Sequence, residues 1–98
     1  MTTLVLEAEP VAENVQIAGN KILVQLADGR DLSVPLDWYP RLLLATVDER
    51  ANWQILGDGY AIEWSDLDEH IGVEGLLAGR RSGESTESFG RWLRSRAQ

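Results

Sequence analysis

The stretch DWYPRLLLATVDERANWQILGDG, residues 37–59, holds most of the local signals that determine the fold. Pro40 suits the first position of a helix, and the apolar run after it predicts a short helix. Thr46 and Glu49 have the spacing of a capping box, in which each side chain accepts the backbone N–H of the other residue. A second helical turn is therefore expected to begin at Thr46 and to run towards Trp53.

Glycine-containing turns on both sides of this stretch predict antiparallel strands. On the C-terminal side, the GDG at 57–59 separates two short apolar segments, which is a hairpin signal. On the N-terminal side, apolar residues alternate along residues 15–36, and the DG at 28–29 suits a two-residue hairpin turn. The GN at 19–20 suggests an earlier turn of the same kind. Residues 15–36 are therefore predicted to form a three-stranded antiparallel meander.

The C-terminal part of the chain predicts a linker and a short helix. Residues 81–88 contain no apolar side chain and are predicted to be a polar linker. In residues 89–98, Phe89, Trp92 and Leu93 have helical spacing while the arginines point elsewhere, which predicts a short basic amphipathic helix. Two outcomes are open for this tail: it folds back onto the body, or it is a docking segment that orders on binding.

The composition is that of one small α+β domain. The chain has 98 residues, of which 44% are hydrophobic and 26% are charged, as in ordinary globular domains. This length leaves no room for a second core. We expect residues 1–80 to form a single α+β domain with the antiparallel β-meander, the second β-hairpin and short helices. The last of these helices is expected within VEGLLAG, residues 73–79, whose final glycine suits a helix C-cap.

Missing residue types exclude several functions. The chain has no Cys, which excludes disulfides, a thiolate zinc site and a cysteine nucleophile. It offers no phosphate-binding loop and no nucleophile paired with a base, so no cofactor and no catalytic residue are predicted. The apolar run Leu4–Leu6 is short and has no basic residue ahead of it, unlike a signal peptide or membrane anchor. We therefore expect a cytoplasmic protein that does not contact a membrane.

The charge is unevenly distributed along the chain. The net charge is −7. Residues 1–79 hold four basic side chains against fourteen acidic ones, whereas residues 80–98 hold five arginines against two glutamates. The acidic body would repel phosphates, so DNA contact is expected only weakly, through the tail or through a complex. An acidic body is better suited to bind a basic protein, because opposite charges attract.

The segment SDLDEH, residues 65–70, concentrates acidic side chains around the one histidine. Carboxylates and an imidazole can hold a transition metal, but the segment lacks a second His at ligand spacing and a calcium-binding loop. No metal is therefore predicted. Two alternatives stay open: a solvated acidic turn, or an acidic edge that pairs with a basic partner.

The aromatic residues divide into two groups. Trp53 and Trp64 lie on strands beside the GDG turn, where large side chains usually fill a small core. Trp38 and Tyr39 precede a helix in a connecting segment, where both a core and an interface position are open. Arg41, which follows them, stands among acidic neighbours and is expected to form an intramolecular ion pair.

An ordered series of motifs resembles a known bacterial family. The series is a DG before a strand, then PRLLLAT, ER.NW, GDGY.I.W, LDE.I and VEGLLAG. Over about residues 15–80 it resembles the family called domain of unknown function 2442. Members of that family often look like the second gene of a two-gene unit beside a small basic protein, similar to toxin–antitoxin modules. The resemblance thus implies an antitoxin-like role and supplies no catalytic residues.

Some relatives in that family carry a helix-turn-helix domain after this one. The residues that follow Gly79 are too few for such a domain, so recognition of DNA by this chain alone is not expected.

These observations predict a protein-binding module that is not an enzyme. It would neutralise a small basic protein, encoded by a neighbouring gene, by covering that protein's surface; a homo-oligomer stays open. The alternative is a small DNA-associated transcriptional regulator that acts through the basic tail, and an enzyme acting through Asp68 and His70 ranks third. The residues predicted to bind the partner are Trp38, Tyr39, Arg41, Glu63, Asp66, Asp68, Glu69, His70, Trp92 and Arg94.

Overall fold

A computed structural model describes residues 10–96 of the chain. Leu4–Leu6 and the last two residues of the predicted tail helix lie outside the described residues. The strands are β1 (Ala12–Ala18), β2 (Lys21–Leu26), β3 (Asp31–Pro35), β4 (Gln54–Leu56), β5 (Ala61–Trp64) and β6 (Glu69–Gly72). The α-helices are α1 (Pro40–Leu43), α2 (Val47–Ala51), α3 (Val73–Leu77) and α4 (Thr86–Arg96), and 3-10 turns lie at Leu36–Trp38 and Ser65–Leu67.

The first sheet is the predicted meander, with strand order β1-β2-β3 and antiparallel pairing. The alternation along β2 buries Ile22, Val24 and Leu26 on one face. The loop between β2 and β3 is longer than the predicted two residues. Gly29 donates its N–H to the Leu26 carbonyl at 3.0 Å, and Leu26 donates to the Arg30 carbonyl at 2.8 Å. Gly29 has a φ of +96°, the left-handed conformation that follows the turn in hairpin loops of this longer type.

The second sheet contains the predicted hairpin and one further strand, in the order β4-β5-β6. The additional strand, β6, begins at Glu69, within the segment 65–70 for which a solvated acidic turn was one of the two alternatives. A 3-10 turn precedes it, and Asp68 then adopts a left-handed φ of +52°. This reversal brings Glu69 beside Trp64 and directs the chain antiparallel to β5.

The two sheets meet at Gly59. Ala12 at the start of β1 donates its N–H to the Gly59 carbonyl at 2.7 Å. A Cβ at position 59 would lie 2.7 Å from the Ala12 carbonyl oxygen, and the residue has a φ of +113°. Only glycine therefore permits this close contact between the sheets.

The predicted capping box is confirmed at the start of α2. The Glu49 N–H donates to the Thr46 hydroxyl at 3.1 Å, and the Thr46 N–H donates to the Glu49 carboxylate at 2.9 Å. Both bonds satisfy donors that a helix start leaves without an intrahelical partner.

One apolar core lies between the two sheets and the short helices. Trp64 is 0% exposed, and Tyr39 is 4% exposed. Trp53 is half-buried and packs against the same core. Trp64 is therefore confirmed as a core residue. Tyr39, for which core and interface positions were both open, also lies in the core. The expected small α+β fold is confirmed.

The tail folds back onto the body, which is one of the two outcomes that the sequence left open. Trp92 of α4 packs against the core cluster, and Arg96 forms an ion pair with Glu49 at 2.9 Å. The helix begins at Thr86, within the range predicted as linker, and the Ser85 hydroxyl accepts the Ser88 N–H at 3.0 Å. This hydrogen bond is the N-terminal cap that explains the earlier start. Among the described residues, no helix is long and apolar enough to cross a lipid bilayer.

Candidate binding cleft

A cleft of about 470 Å³ lies beside β6. One side is formed by Asp68 and β6, and the other by residues 80–85, which connect α3 to α4. Tyr39 and Arg41 also line it. The cleft thus joins the connection before α1, the last strand and the segment ahead of the tail helix.

An ion pair between Arg41 and Glu84 spans one part of this cleft. The Arg41 Nε donates to the two Glu84 carboxylate oxygens at 2.9 and 3.0 Å, and Nη1 donates to the Leu67 carbonyl at 2.8 Å. The two side chains are only 13% and 12% exposed. The hydrogen bonds from Arg41 hold the pKa of Glu84 below its usual range. Because the guanidinium also lies 5.4 Å from the centre of the Trp92 ring, Arg41 fastens both the connecting segment and the tail helix to the body.

Glu69 is a carboxyl group on the inward-facing side of β6. Side chains alternate along a strand, so Glu69 lies on the same face as Ile71, which is buried, and opposite Trp64 on β5. Burial raises the pKa of Glu69 from 4.5 to about 7, and the negative charges of Glu84 and Asp68 add to this effect while Arg41 opposes it. No hydrogen bond joins the Glu69 carboxylate to another side chain or backbone group within residues 10–96.

Replacing Glu69 by Gln should remove a pH dependence of stability between pH 4.5 and about pH 7. A carboxyl whose pKa is higher in the folded chain binds more protons there. Its stabilising contribution is therefore complete below its unfolded pKa and is lost as pH rises through its folded pKa. The loss is at most about 3 kcal/mol.

Urea unfolding at pH 5 and pH 8 measures this effect. The stability of Glu69→Gln relative to wild type should be higher at pH 8 than at pH 5, whereas Glu74→Gln, at an exposed position, should show no such change. A constant difference between Glu69→Gln and wild type at both pH values would contradict the assignment.

The cleft brings together five of the residues predicted to bind a partner. They are Tyr39, Arg41, Asp68, Glu69 and His70. Tyr39 needs a correction, because its ring is buried and its hydroxyl donates to the Arg80 carbonyl at 2.9 Å. It supports the wall of the cleft and presents no ring for a partner to contact.

Other predicted residues lie beside the cleft. Glu63 is the cross-strand neighbour of His70 and accepts a hydrogen bond from Gln54 at 3.1 Å. Trp38 is half-buried, and the guanidinium of Arg81 lies 5.0 Å from its ring centre. Glu63 and Trp38 therefore extend the predicted surface beyond the cleft itself.

The remaining predicted residues do not line the cleft. Asp66 is exposed and accepts a hydrogen bond from Asn52 at 2.8 Å. Trp92 is packed against the body, and Arg94 is exposed on α4. Within residues 10–96 there is no group of three or more His, Asp or Glu side chains that could hold a metal ion.

Residues 80–85 were not predicted as part of the partner-binding surface, although Arg80 and Arg81 were candidate phosphate contacts in the DNA-binding alternative. The sequence shows them as a polar segment without periodicity, which is typical of a linker. Glu84 is the only acidic residue in the run RRSGES, but nothing local indicates that its partner Arg41 is 43 positions earlier. The amino-acid composition of this segment indicated a polar linker and did not identify the contact with Arg41.

Comparison with known proteins finds a family and two solved structures. The family model described as "Protein of unknown function (DUF2442)" matches residues 12–82. A crystal structure of a protein of unknown function from Rhodospirillum rubrum is similar, with 28% identity and a TM-score of 0.69 over 79% of this chain and 95% of that one.

A solution NMR structure of an uncharacterized protein from Chromobacterium violaceum is also similar. It has 25% identity and a TM-score of 0.64 over 83% of this chain and 74% of that one. Comparison with curated proteins gave no match. The family match includes the cleft residues on the body and ends before α4 begins at Thr86.

Proposed function

This chain belongs to the DUF2442 family, and we propose that it is a cytoplasmic, antitoxin-like protein-binding module that covers a basic surface on a small partner protein. No catalytic step is part of the proposal. The observation that carries it is the state of the charges in the cleft. Asp68 and Glu69 form no ion pair within residues 10–96, whereas Arg41 in the same cleft is neutralised by Glu84. Arg80 and Arg81 line the opposite side of the cleft and likewise form no ion pair among these residues. The Asp68 carboxylate is available to a cation on another protein, and a cation placed beside Glu69 would favour its ionised form.

The distribution of charge around the cleft supports the same partner. Glu63 lies next to His70 on the neighbouring strand, and Asp66 is exposed in the turn before β6. An acidic surface of this kind attracts a basic protein during diffusion and orients it on approach. The bound module would then act by occlusion, because the covered surface of the partner could no longer reach its own target.

The tail is less suited to the alternative of DNA binding. Arg96 is paired with Glu49 and also lies 4.6 Å from the centre of the Trp92 ring. A guanidinium held in this way against the body would have to leave its carboxylate to contact a phosphate. The DNA-associated regulator therefore remains the competing outcome of the experiment below.

The test compares three variants for binding to the basic protein encoded by the neighbouring gene and to DNA from upstream of the gene. The cleft variant replaces Glu63, Asp66, Asp68 and Glu69 by amides. The control variant makes the same change in charge elsewhere, at Glu13, Asp31, Asp58 and Glu87. The tail variant neutralises Arg91, Arg94 and Arg96, the arginines of α4.

The cleft variant should associate with the basic protein about tenfold more slowly than wild type, and wild-type association should slow as salt rises. The control variant should have a smaller effect, because its charges lie away from the contact. If only the tail variant loses binding, and the binding lost is to DNA, the occlusion proposal is wrong.

A further inference from the structure

Strand β6 has an edge without a neighbouring strand, and this strand forms one side of the cleft. The order β4-β5-β6 gives β6 a partner on one side only. Val73, directly after β6, donates its N–H to the Tyr60 carbonyl at 2.9 Å and so continues the ladder with β5. Because hydrogen bonding alternates along an antiparallel strand, the N–H and C=O groups of His70 and Gly72 point away from β5.

Within residues 10–96 the N–H and C=O of His70 and the N–H of Gly72 have no backbone partner, whereas the Gly72 carbonyl lies at the N-cap of α3 and accepts its first intrahelical hydrogen bond. No hydrogen bond from another segment reaches the outer edge of β6. Unpaired N–H and C=O groups in a row are a template for another strand. The edge is therefore chemically able to accept an extended chain.

The space beside the edge suits such a chain. The cleft volume of about 470 Å³ lies within the range of sites that hold ligands, about 300–1,000 Å³. The four residues of β6 give an edge of about 13 Å at about 3.3 Å per residue. A Cβ built at Gly72 would meet no atom within 4 Å, so the face of the sheet at this end of β6 is open.

The charges along the cleft define which chain would fit. Asp68 and Glu69, at the start of β6, form no ion pair among the described residues. Arg81 lies over the Trp38 ring and Arg41 is paired with Glu84. Arg80 also lines the cleft, beside Gly72 at the other end of β6. A strand that enters here would therefore be favoured by a Lys or Arg side chain opposite the start of β6.

We propose that an extended, basic segment of a partner protein adds to β6 as a further strand in the cleft and places a cationic side chain against Asp68 and Glu69. The inference rests on the proposed function and specifies its mode of contact. Backbone hydrogen bonds to His70 and Gly72 would supply affinity, and the two carboxylates would select basic sequences.

The test uses the full chain and a defined probe, a fluorescein-labelled peptide of nine alternating Lys and Val residues. His70→Pro removes the outward N–H of β6, whereas His70→Ala removes only the imidazole and retains that N–H. Proline is tolerated on the open side of an edge strand, so the β5 ladder should persist. The Kd measured by fluorescence anisotropy should rise at least about tenfold for His70→Pro and less than about threefold for His70→Ala.

A second measurement is independent of the folding of the proline variant. The same peptide with an N-methyl group on every residue loses the backbone donors of both edges and should bind wild type at least about tenfold more weakly. A peptide with Glu in place of Lys should also bind more weakly than the Lys peptide.

Each failure has a distinct meaning. Equal binding by the two His70 variants, together with insensitivity to N-methylation, would overturn strand addition. Absence of Lys-peptide binding, or equal binding of the Glu peptide, would overturn it as well. The proposed function would survive these results if the cleft variant of the preceding section still associates more slowly with the basic protein.

Discussion

Replacing Trp64 by Ala should lower the free energy of unfolding by about 3–5 kcal/mol. The side chain is 0% exposed, so truncation leaves a cavity that the two sheets can only partly fill. It also removes the indole N–H that donates to the Arg50 carbonyl at 3.0 Å. Since a domain of this size is typically stable by about 5–15 kcal/mol, the variant would lose between about a fifth of its stability and all of it.

Urea unfolding and thermal melts measure the effect of the Trp64 substitution. A loss of about 3 kcal/mol corresponds to a decrease in Tm of at least about 12 °C for a chain of this length. Tyr60→Ala is the aromatic control, because Tyr60 is 52% exposed and should cost much less. A Tm for Trp64→Ala within about 2 °C of wild type would contradict the core assignment.

Replacing Arg41 by Ala should cost about 3 kcal/mol or more, because it leaves the Glu84 carboxylate poorly solvated and without its cation. Glu84 is 12% exposed as a side chain. The Leu67 carbonyl loses its hydrogen bond, and Trp92 loses the guanidinium over its ring. The loss should appear first as opening of residues 80–96, since Arg41 joins that segment to the body.

A double-mutant cycle tests this interpretation. The double variant Arg41→Ala, Glu84→Ala should be less destabilised than the sum of its two single variants, because removing both charges avoids the unpaired one. Arg41→Lys should also destabilise, since an ammonium cannot reproduce the forked contact. In the Arg41→Ala variant, hydrogen exchange should accelerate relative to wild type more in α4 than in the two sheets. Costs below about 1 kcal/mol for every variant would mean that the pair behaves like an exposed surface ion pair.

The elements that could be predicted are those whose causes are local. The capping box of Thr46 and Glu49 forms because the interacting groups are three positions apart. The first meander follows from alternation and closely spaced turns. Prediction was less accurate where a loop has two compatible forms: the turn with Gly29 could close over two residues or over the longer loop that the structure has.

Part of the candidate site was also predictable. The acidic run at 65–70 and the aromatic residues before α1 were identified as a surface from composition. The structure brings Asp68, Glu69 and His70 into one cleft with Arg41. It also shows that Tyr39 is a core residue. The sequence could not decide this, because a position in a connecting segment is compatible with both a core and an interface environment.

The sequence by itself determined the α+β class, the meander, the capped helix and the excess of acid on the body. Each of these follows from propensity, periodicity or charge within a few neighbouring residues. Only the tertiary structure decided that β6 pairs with β5, that Glu69 faces inward, and that Glu84 meets Arg41. These contacts depend on packing between distant segments, Arg41 and Glu84 being 43 positions apart. The free energy of such contacts comes from burial and chain closure, which no local pattern of residues encodes.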